Sequence, residues 1–488
     1  MIKRGIHPFR AKEDVVVVYG KGFFHMIIDH KLRVQELAPA IDRLFALSEQ
    51  KIRNLQASWD PSKGTPVFTV EGRYTTRGWT EWTQGFQYGS IILQFDATGD
   101  ESLLGLGRRL TLDHMAPHVT HIGVHDHGFN NVSTYGNLWR LALEGRYNAS
   151  EWEVHLYELA LKASAAVQAS RWALTHDGTG YIYSFNGPQS LFVDTIRTLR
   201  ILALGHILGH HLMGEADEKI SLLSRLIEHA VNTAKYNVYF GEGRDAYDIR
   251  GRVAHEAVFN TNNGQFRCPN SQQGYSPFST WTRGLAWAIT GYAEQLEFLI
   301  KVPEADFPRA FPKADVLNLF LRAAKATADF YIEHTAADGI PYWDTGAPGL
   351  VHLGDYYEKP ADPYNDWEPV DSSAAAIAAQ GLLRLGAFLS AQNNAESERY
   401  TAAGLTVART LFQEPYLSTD PEHQGLLLHS VYHRPNGWDH IPSGSRIPHS
   451  ESSMWGDYHL RELAVYIKRM IEGGSYLAFF GPCFGQSG

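Results

Sequence analysis

Residues 280–300, TWTRGLAWAITGYAEQLEFLI, carry the pattern on which the fold prediction rests. Within this stretch Ala288, Tyr292, Leu296 and Leu299 follow one another at steps of four, four and three residues, the spacing of one apolar face of a helix. The long segment that precedes this stretch has no such periodicity. A helix entered through a long loop is therefore the unit from which the fold is built.

Eleven further segments share the helical periodicity, and sustained alternation with a period of two is almost absent. The predicted helices span residues 37–55, 86–97, 101–115, 128–143, 152–168, 194–213, 217–235, 280–300, 315–335, 371–390, 397–413 and 454–472. The loops that enter even-numbered helices run to about 12–44 residues, whereas those that leave them run to about 3–14 residues. Six helix pairs joined in this way predict an all-α fold, an (α/α)6 barrel with the even helices inside.

An open solenoid of helical repeats is the alternative architecture, but it requires a sequence period of about 30–50 residues, and none is visible. No Pro/Gly/Ser-rich linker or charge run divides the chain. We therefore predict one barrel domain at residues 37–475, an N-terminal extension at 1–36 and a C-terminal tail at 476–488. The sequence does not indicate an oligomeric state.

The composition excludes several classes of partner. The 488 residues include 43 basic and 53 acidic side chains, and the net charge of −10 does not support diffuse binding to nucleic acid or to an anionic membrane. Cys268 and Cys483 form no CxxC pair, so neither a disulfide framework nor a thiolate zinc site is indicated. The N-terminus lacks the apolar stretch of a signal peptide, which predicts a cytoplasmic protein, or a periplasmic one if a leader was removed.

The residues just before the even helices are aromatic and acidic. In the predicted barrel they surround one opening, where unsatisfied N–H groups favour negative charge. They are WTEWTQGF (79–86), HDHGF (125–129), FVD (192–194), STWTRGLAW (279–287), DSS (371–373) and ESSMWGD (451–457). Aromatic residues make up 12% of the chain. Sugars, which present flat apolar faces, are one ligand class that would use them, and a large aromatic core is the alternative explanation.

Several of these stretches, in this order, resemble the unsaturated glucuronyl hydrolases of glycoside hydrolase families 88 and 105. The matching motifs are WTxGF (82–86), HDxGF (125–129), STWxRGxAW (279–287), PYWD (341–344), DSSAAAIA (371–378) and WGDYxL (455–460), and the resemblance spans about residues 75–470. The family's (α/α)6 barrel agrees with the loop argument. The resemblance implies a hydrolase that releases a 4,5-unsaturated uronic acid from the non-reducing end of oligosaccharides left by polysaccharide lyases.

In that family an Asp protonates C4 of the double bond, water adds at C5, and the resulting hemiketal opens. By motif, Asp194 matches the proton donor and water activator, and Asp126 matches the second essential Asp. A free Asp has a pKa of about 3.9, so a donor that is protonated near neutral pH needs burial or a nearby carboxylate to raise that pKa. The alternative is that each Asp merely caps its helix.

The resemblance also implies a set of substrate-binding residues. Arg283 is predicted to bind the substrate carboxylate through its fork of donors, the alternative being an ion pair on the helix surface. Trp82, Trp281 and Trp287 match positions that stack on sugar, although packing in the barrel core is the alternative for Trp287. Asp371 and Asp457 are interpreted as helix caps and are left out of the catalytic set.

The sequence departs from the family pattern at two places. The family's THQGY motif is here SQQGY (271–275), so that Gln272 replaces a titratable His. Gln272 and Tyr275 both belong to the predicted substrate-binding set. Phe185 stands where the family tends to have a Trp. The segment 240–275, which contains Arg244, Arg250, His255 and Arg267, is interpreted either as a basic loop over the cavity or as a solvated surface loop.

Metal and cofactor chemistry are not predicted. His125 and His127, and His206 with His210, have spacings that can serve a metal, but the inferred reaction needs none. No phosphate-binding loop, dinucleotide fingerprint or serine elbow is present. Two other functions remain open: a polysaccharide lyase or conventional glycosidase on the same barrel, and a catalytically silent sugar-binding protein.

Overall fold

A computed structural model describes residues 26–77 and 82–474 of the chain. The tail predicted at 476–488, most of the N-terminal extension and Cys483 lie outside the described residues. The barrel helices are α1 (Ala38–Ser58), α2 (Gln84–Thr98), α3 (Glu101–His114), α4 (His127–Asn131, the π-helical turn Val132–Gly136 and Asn137–Leu143), α5 (Glu151–Ser170), α6 (Thr195–Thr198 and Arg200–Ile207), α7 (Leu222–Tyr236), α8 (Thr282–Leu299), α9 (Lys313–Glu333), α10 (Ser372–Ser390), α11 (Ser397–Leu411) and α12 (Met454–Ile471).

The even helices form a closed inner ring. Each contacts the next in the order α2, α4, α6, α8, α10 and α12, and α12 returns to α2. Every residue of α8 is buried, as is nearly all of α10. The odd helices pack outside this ring and bury only one face, as in α1 and α3. The predicted (α/α)6 barrel, with its even helices inside, is confirmed.

Short antiparallel strands decorate the loops. They are β1 (Phe68–Val70), β2 (Arg73–Thr75), β3 (Trp172–Leu174), β4 (Gly180–Ile182), β5 (Ser190–Phe192), β6 (His211–Met213), β7 (Lys219–Ser221), β8 (Glu256–Phe259) and β9 (Phe266–Asn270). The pairs are β1–β2, β3–β4 and β6–β7, and β5, β8 and β9 form a three-stranded sheet. That sheet joins the loop entering α6 to the loop entering α8, which brings two distant segments together beside the start of α6.

The hairpin β6–β7 corrects two predicted helix ends. The predictions 194–213 and 217–235 include the residues of this hairpin, which separates α6 from α7. Gly209, at φ 68°, follows the end of α6 and turns the chain out of the helix. Helical periodicity alone does not reveal this turn, because Leu212 and Ile220 continue the apolar pattern on strands.

The two predicted caps have different outcomes. Asp371 caps α10, since its carboxylate accepts the backbone N–H groups of Ser373 and Ala374. The prediction for Asp457 is wrong: this residue lies in the first turn of α12, which Ser453 caps. Its carboxylate instead accepts backbone N–H groups from the loop entering α12, at Leu426 and Leu427.

The described part of the N-terminal extension lies on the barrel. The backbone N–H of Met26 donates to the carbonyl of Ile332, and the carboxylate of Asp29 pairs with Arg409. Met26 is itself buried. Among the described residues, α10 alone is long and apolar enough to cross a membrane, and its place in the inner ring accounts for that composition.

Candidate active site

A cavity of about 250 Å³ lies at the end of the barrel where the long loops meet. Both predicted carboxylates, Asp126 and Asp194, line it, together with aromatic and polar side chains from the loops entering five inner helices. The lining residues are Trp82, His121, Gly123, Val124, His125, Asp126, Phe129, Phe185, Phe192, Asp194, Gln272, Gln273, Trp281, Arg283, Trp287, Tyr432, His433 and Trp438.

Asp194 immediately precedes α6 and is 8% exposed. Its side chain makes no capping hydrogen bond, and its Oδ1 atom has no hydrogen-bond partner among the described residues. Burial raises the pKa of this carboxyl to about 7, although the Arg283 cation acts in the opposite direction. A substantial fraction of Asp194 is therefore protonated at neutral pH, as a proton donor requires.

Asp126 stands at the corresponding position before α4, and its side chain makes no capping hydrogen bond either. The starts of α4 and α6 are tied together, because the Thr198 hydroxyl donates to the carbonyl of His125 over 3.0 Å. His125 places its Nε2 atom 3.8 Å from Asp126 Oδ1. Capping, the alternative role for both aspartates, is thus not what their side chains do, and two carboxylates from adjacent inner helices face one cavity.

His255 is a neighbour of Asp194 that sequence reasoning left in a loop. Its Nε2 atom lies 3.8 Å from Asp194 Oδ2, and its Nδ1 atom accepts the backbone N–H groups of Gln272 and Gln273 at 3.0 and 3.3 Å. Burial lowers the pKa of His255 to about 3, so the ring is neutral. Because Nδ1 is an acceptor, the ring hydrogen is on Nε2, which makes no hydrogen bond among the described residues.

The position of His255 comes from strand pairing. The backbone N–H of Val193 donates to the carbonyl of His255, which extends the β5–β8 pairing by one step. A residue after β5 is thereby held opposite a residue before β8. No sequence motif marks this pairing. To anticipate it from the sequence, one would have to look for a short strand next to FVD (192–194) and for a second strand that could pair with it.

Arg283 lines the cavity but uses its Nη atoms within the protein. Nη1 donates to Asp371 Oδ2 at 3.0 Å and to the carbonyl of Val431, and Nη2 donates to Gln273 Oε1 at 2.9 Å and to the carbonyl of Tyr432 at 2.8 Å. The pair with Asp371 is buried, so it is not a surface ion pair. Binding of a substrate carboxylate by Arg283 stays a prediction. To bind it, the Nη atoms of Arg283 would have to give up some of these hydrogen bonds within the protein.

Four of the five predicted aromatic residues, namely Trp82, Phe185, Trp281 and Trp287, line the cavity. Trp82 packs on Trp455 with ring centroids 5.0 Å apart, and Trp281 lies 4.7 Å from the His255 ring. Phe185 stacks on His125 at 5.9 Å. Trp287 fits both interpretations of its role, sugar stacking and core packing. It lines the cavity and also packs on Phe129, with only 2% of its surface exposed.

The two predicted substrate-binding residues of the SQQGY segment, Gln272 and Tyr275, have different positions relative to the cavity. Gln272 lines the cavity, whereas Tyr275 is 52% exposed and is not among the lining residues. Sequence reasoning did not assign Tyr432, His433 and Trp438, which the loop entering α12 contributes. These three residues lie well before the helix start, where no motif marks them, so only their position in a long entering loop could have suggested them.

The segment 240–275 does not form a basic cover over the cavity. Arg250 pairs with Asp329 on α9, and Arg244 donates to backbone carbonyls at the end of α7. Neither lines the cavity. The interpretation as a surface loop is correct for these two side chains. At other positions in the segment, Gln272 and Gln273 line the cavity and His255 lies beside Asp194.

The described residues contain no group of three His, Cys, Asp or Glu side chains arranged to hold a metal ion. His127 instead bonds the Ser164 hydroxyl and the carbonyl of His121. His206 lies 3.6 Å from Asp306, and His210 packs against His211.

No protein-family model matches the chain. It is 25% identical over 414 residues to the unsaturated glucuronyl hydrolase of Bacillus sp. (strain GL1), covering 83% of this chain and 90% of that protein. It is 26% identical over 408 residues to the unsaturated chondroitin disaccharide hydrolase of Streptococcus pyogenes serotype M1, covering 82% and 84%.

Solved structures agree with the fold. The crystal structure of the Bacillus sp. GL1 unsaturated glucuronyl hydrolase matches with a TM-score of 0.65 at 22% identity, over 88% of this chain and 97% of that one. The Streptococcus agalactiae unsaturated glucuronyl hydrolase matches with a TM-score of 0.67 at 20% identity, over 92% and 94%. Over most of its length, and with its motifs in the same order at the mouths of the inner helices, the chain is similar to unsaturated glucuronyl hydrolases.

Proposed function

We propose that this chain is a hydrolase that removes a 4,5-unsaturated uronic acid from the non-reducing end of lyase-generated oligosaccharides by hydrating the double bond. The observation that carries this proposal is the pair of carboxylates in one aromatic cavity, one of which, Asp194, has a pKa raised to about 7. Related enzymes have been solved as complexes with dGlcA-Glc-Rha-Glc and with dGlcA-GalNAc6S. The cavity is suited to the terminal sugar of such a substrate.

The reaction begins with protonation of a carbon atom. Asp194 delivers its proton to C4, and a water molecule adds its oxygen to C5 while its spare proton returns to the Asp194 carboxylate. The hemiketal formed at C5 then opens and releases the shortened sugar. This sequence needs a carboxyl that is protonated at the start and an acceptor at the end, and a pKa near neutrality allows both within one cycle.

The neighbours of Asp194 support this role. His255 is neutral and its Nε2 atom lies 3.8 Å from Oδ2, so a small approach would let it donate to the carboxylate after the proton has left. The indole and phenyl rings of the wall favour the flat faces of a sugar. Asp126 supplies the second carboxylate, which is placed to hold a sugar hydroxyl or the attacking water.

The test is the ultraviolet absorbance of the conjugated double bond in lyase products. We expect wild-type protein to make this absorbance fall, and Asp194→Asn to reduce the rate about 100-fold or more, because the amide cannot donate the proton as an acid does. A panel of unsaturated disaccharides from chondroitin, hyaluronan, heparin, gellan and ulvan lyases would also identify the parent polymer.

Asp338→Asn is the matched control. Asp338 also has a pKa raised by burial, to about 6, but it lies outside the cavity and accepts the backbone N–H groups of Ile340 and Ala361, which an Asn oxygen can also accept. This variant should retain wild-type turnover. A rise in absorbance on intact polymer would indicate a lyase, a constant absorbance with sugar bound would indicate a silent binder, and full activity of Asp194→Asn would remove Asp194 from the mechanism.

A further inference from the structure

Two exposed aromatic rings stack on each other, one of them in a segment that begins and ends at the cavity wall. Tyr247 and Phe278 have ring centroids 4.4 Å apart and an interplanar angle of 24°, and they remain 47% and 45% exposed. We call this pair the mouth platform. Exposed apolar surface of this kind costs free energy in water, so a grouped, ordered example indicates a binding surface.

The chain places the mouth platform next to the cavity. Phe278 belongs to the segment 272–281, which starts at the lining residues Gln272 and Gln273 and returns to the lining residue Trp281. Both ends of this segment are thus in the cavity wall, and the part between them carries Phe278 outward. Phe278 is three positions before Trp281, which limits the distance between their Cα atoms to about 11 Å.

The platform is held by buried groups. Arg252, 2% exposed, donates from Nε to the carbonyl of Tyr247 at 2.7 Å and from Nη1 to the carbonyl of Pro277 at 3.1 Å. One buried guanidinium therefore fixes the two loops that carry the two rings. Asp248 organises the first of these loops by accepting three backbone N–H groups, from Gly241, Glu242 and Arg244.

The ligand of the mouth platform can be inferred from where a bound oligosaccharide must extend out of the cavity. A cavity of about 250 Å³ is smaller than the roughly 300 Å³ at the lower limit for drug-sized ligands, so a longer oligosaccharide must extend beyond it. If the terminal sugar is inside, the remaining sugars pass over the rim. Aromatic rings at that rim present flat apolar faces to the flat apolar faces of pyranose rings.

We propose that Tyr247 and Phe278 form a subsite for the third or fourth sugar of the substrate, which makes the enzyme selective for oligosaccharides longer than a disaccharide. This inference rests on the proposed function, because the occupant is the part of the same substrate that lies outside the cavity. Tyr275, which is also exposed, lies in the sequence between the lining residue Gln273 and Phe278.

The experiment compares unsaturated di- and tetrasaccharides that are size-fractionated from one lyase digest. For wild-type protein we expect kcat/KM to be higher for the tetrasaccharide. Phe278→Ala should lower the ratio of the two kcat/KM values about fivefold, which is what the loss of a contact worth about 1 kcal/mol produces. Phe278→Tyr should keep the ratio, because the aromatic face remains, and Tyr247→Ala should lower it like Phe278→Ala.

Trp152→Ala is the matched control, since Trp152 is a 76% exposed aromatic residue on the outer helix α5 that does not line the cavity. Its ratio should equal that of the wild type. An equal or lower kcat/KM for the tetrasaccharide in the wild type, or an unchanged ratio in Phe278→Ala, overturns the platform while the proposed function stands.

If neither oligosaccharide is turned over, the proposed function fails, and calorimetric titration then decides the platform separately. Weaker binding of the tetrasaccharide by Phe278→Ala than by the wild type supports the platform. Absence of binding, or equal binding by the two proteins, overturns it.

Discussion

The carboxyl of Asp194 shows how one residue links the chemistry of the site to the stability of the protein. It is buried without a hydrogen bond to Oδ1 among the described residues, so its charged form is disfavoured and its pKa is raised from 3.8 to about 7. The same burial that produces a proton donor therefore destabilises the folded protein at pH values where the carboxyl is ionised.

This destabilisation has a defined pH window. Between about pH 4 and pH 7 the folded protein retains the Asp194 proton, whereas the unfolded chain has already released it, so the free energy of unfolding falls as the pH rises through this range. We predict that Asp194→Asn, which cannot ionise, is more stable than the wild type at pH 8, and that this advantage is smaller by about 2–3 kcal/mol at pH 5.

Thermal unfolding of both proteins at pH 5 and pH 8 measures this difference. Asp338→Asn serves again as a control for a buried carboxyl outside the cavity, with a smaller shift. A stability difference between Asp194→Asn and the wild type that does not change with pH would show that the Asp194 carboxyl is not held protonated by burial.

At the scale of the elements, the inner helices approach one another through glycines. A β-carbon at Gly128 of α4 would overlap the backbone of Thr198 in α6, and one at Gly85 of α2 would overlap the backbone of Asn130 in α4. Helices can pack this closely only where no side chain intervenes. The contact between Gly128 and Thr198 joins the starts of the two helices that Asp126 and Asp194 precede, so it sets how closely these helix starts approach each other.

We predict that Gly128→Ala separates the starts of α4 and α6 and lowers kcat/KM by at least about tenfold, because small displacements of catalytic groups are costly. It should also lower the melting temperature. Gly105→Ala in the outer helix α3 is the control, since a β-carbon there meets no atom within 4 Å. Alanine at that position should be neutral or stabilise the helix by up to about 1 kcal/mol. Wild-type activity in Gly128→Ala would contradict the close packing described.

At the scale of the whole molecule, one buried arginine connects four inner helices. Arg197 of α6 bonds Glu294 of α8, Gln380 of α10, and both His459 and Glu462 of α12. The His459 ring packs in turn on Trp287, whose other contacts reach the cavity. This network holds opposite sides of the barrel together beneath the candidate active site.

We predict that Arg197→Met lowers the free energy of unfolding by about 3–5 kcal/mol, because it removes the cation that is hydrogen-bonded to the buried carboxylates of Glu294 and Glu462. Only the longer ion pairs with Arg200, and with Arg384 at Glu294, then remain. Chemical denaturation, or the melting temperature if unfolding is irreversible, measures the loss. Arg33→Ala, which removes an exposed pair with Glu36, should leave the melting temperature unchanged. Equal stability of the two variants would mean that the network under the cavity does not stabilise the barrel.

The sequence could predict the helices because their signals are local. Apolar residues at helical spacing mark α8 and α12, and Asp371 marks the start of α10. Long entering loops then implied the ring, and the motifs within them placed Asp126, Asp194 and three tryptophans at one opening. Each of these inferences depends on residues that are near one another along the chain.

Only the tertiary structure decided the surroundings of those residues. His255 reaches Asp194 through pairing between distant strands, Arg283 is bonded to a loop about 150 positions away, and Asp457 holds that same loop rather than capping its helix. The mouth platform likewise depends on Arg252 joining two loops. Each helix leaves a periodic pattern of apolar residues in the sequence. Hydrogen bonds and burial between remote segments leave no such pattern, so the sequence could not reveal them.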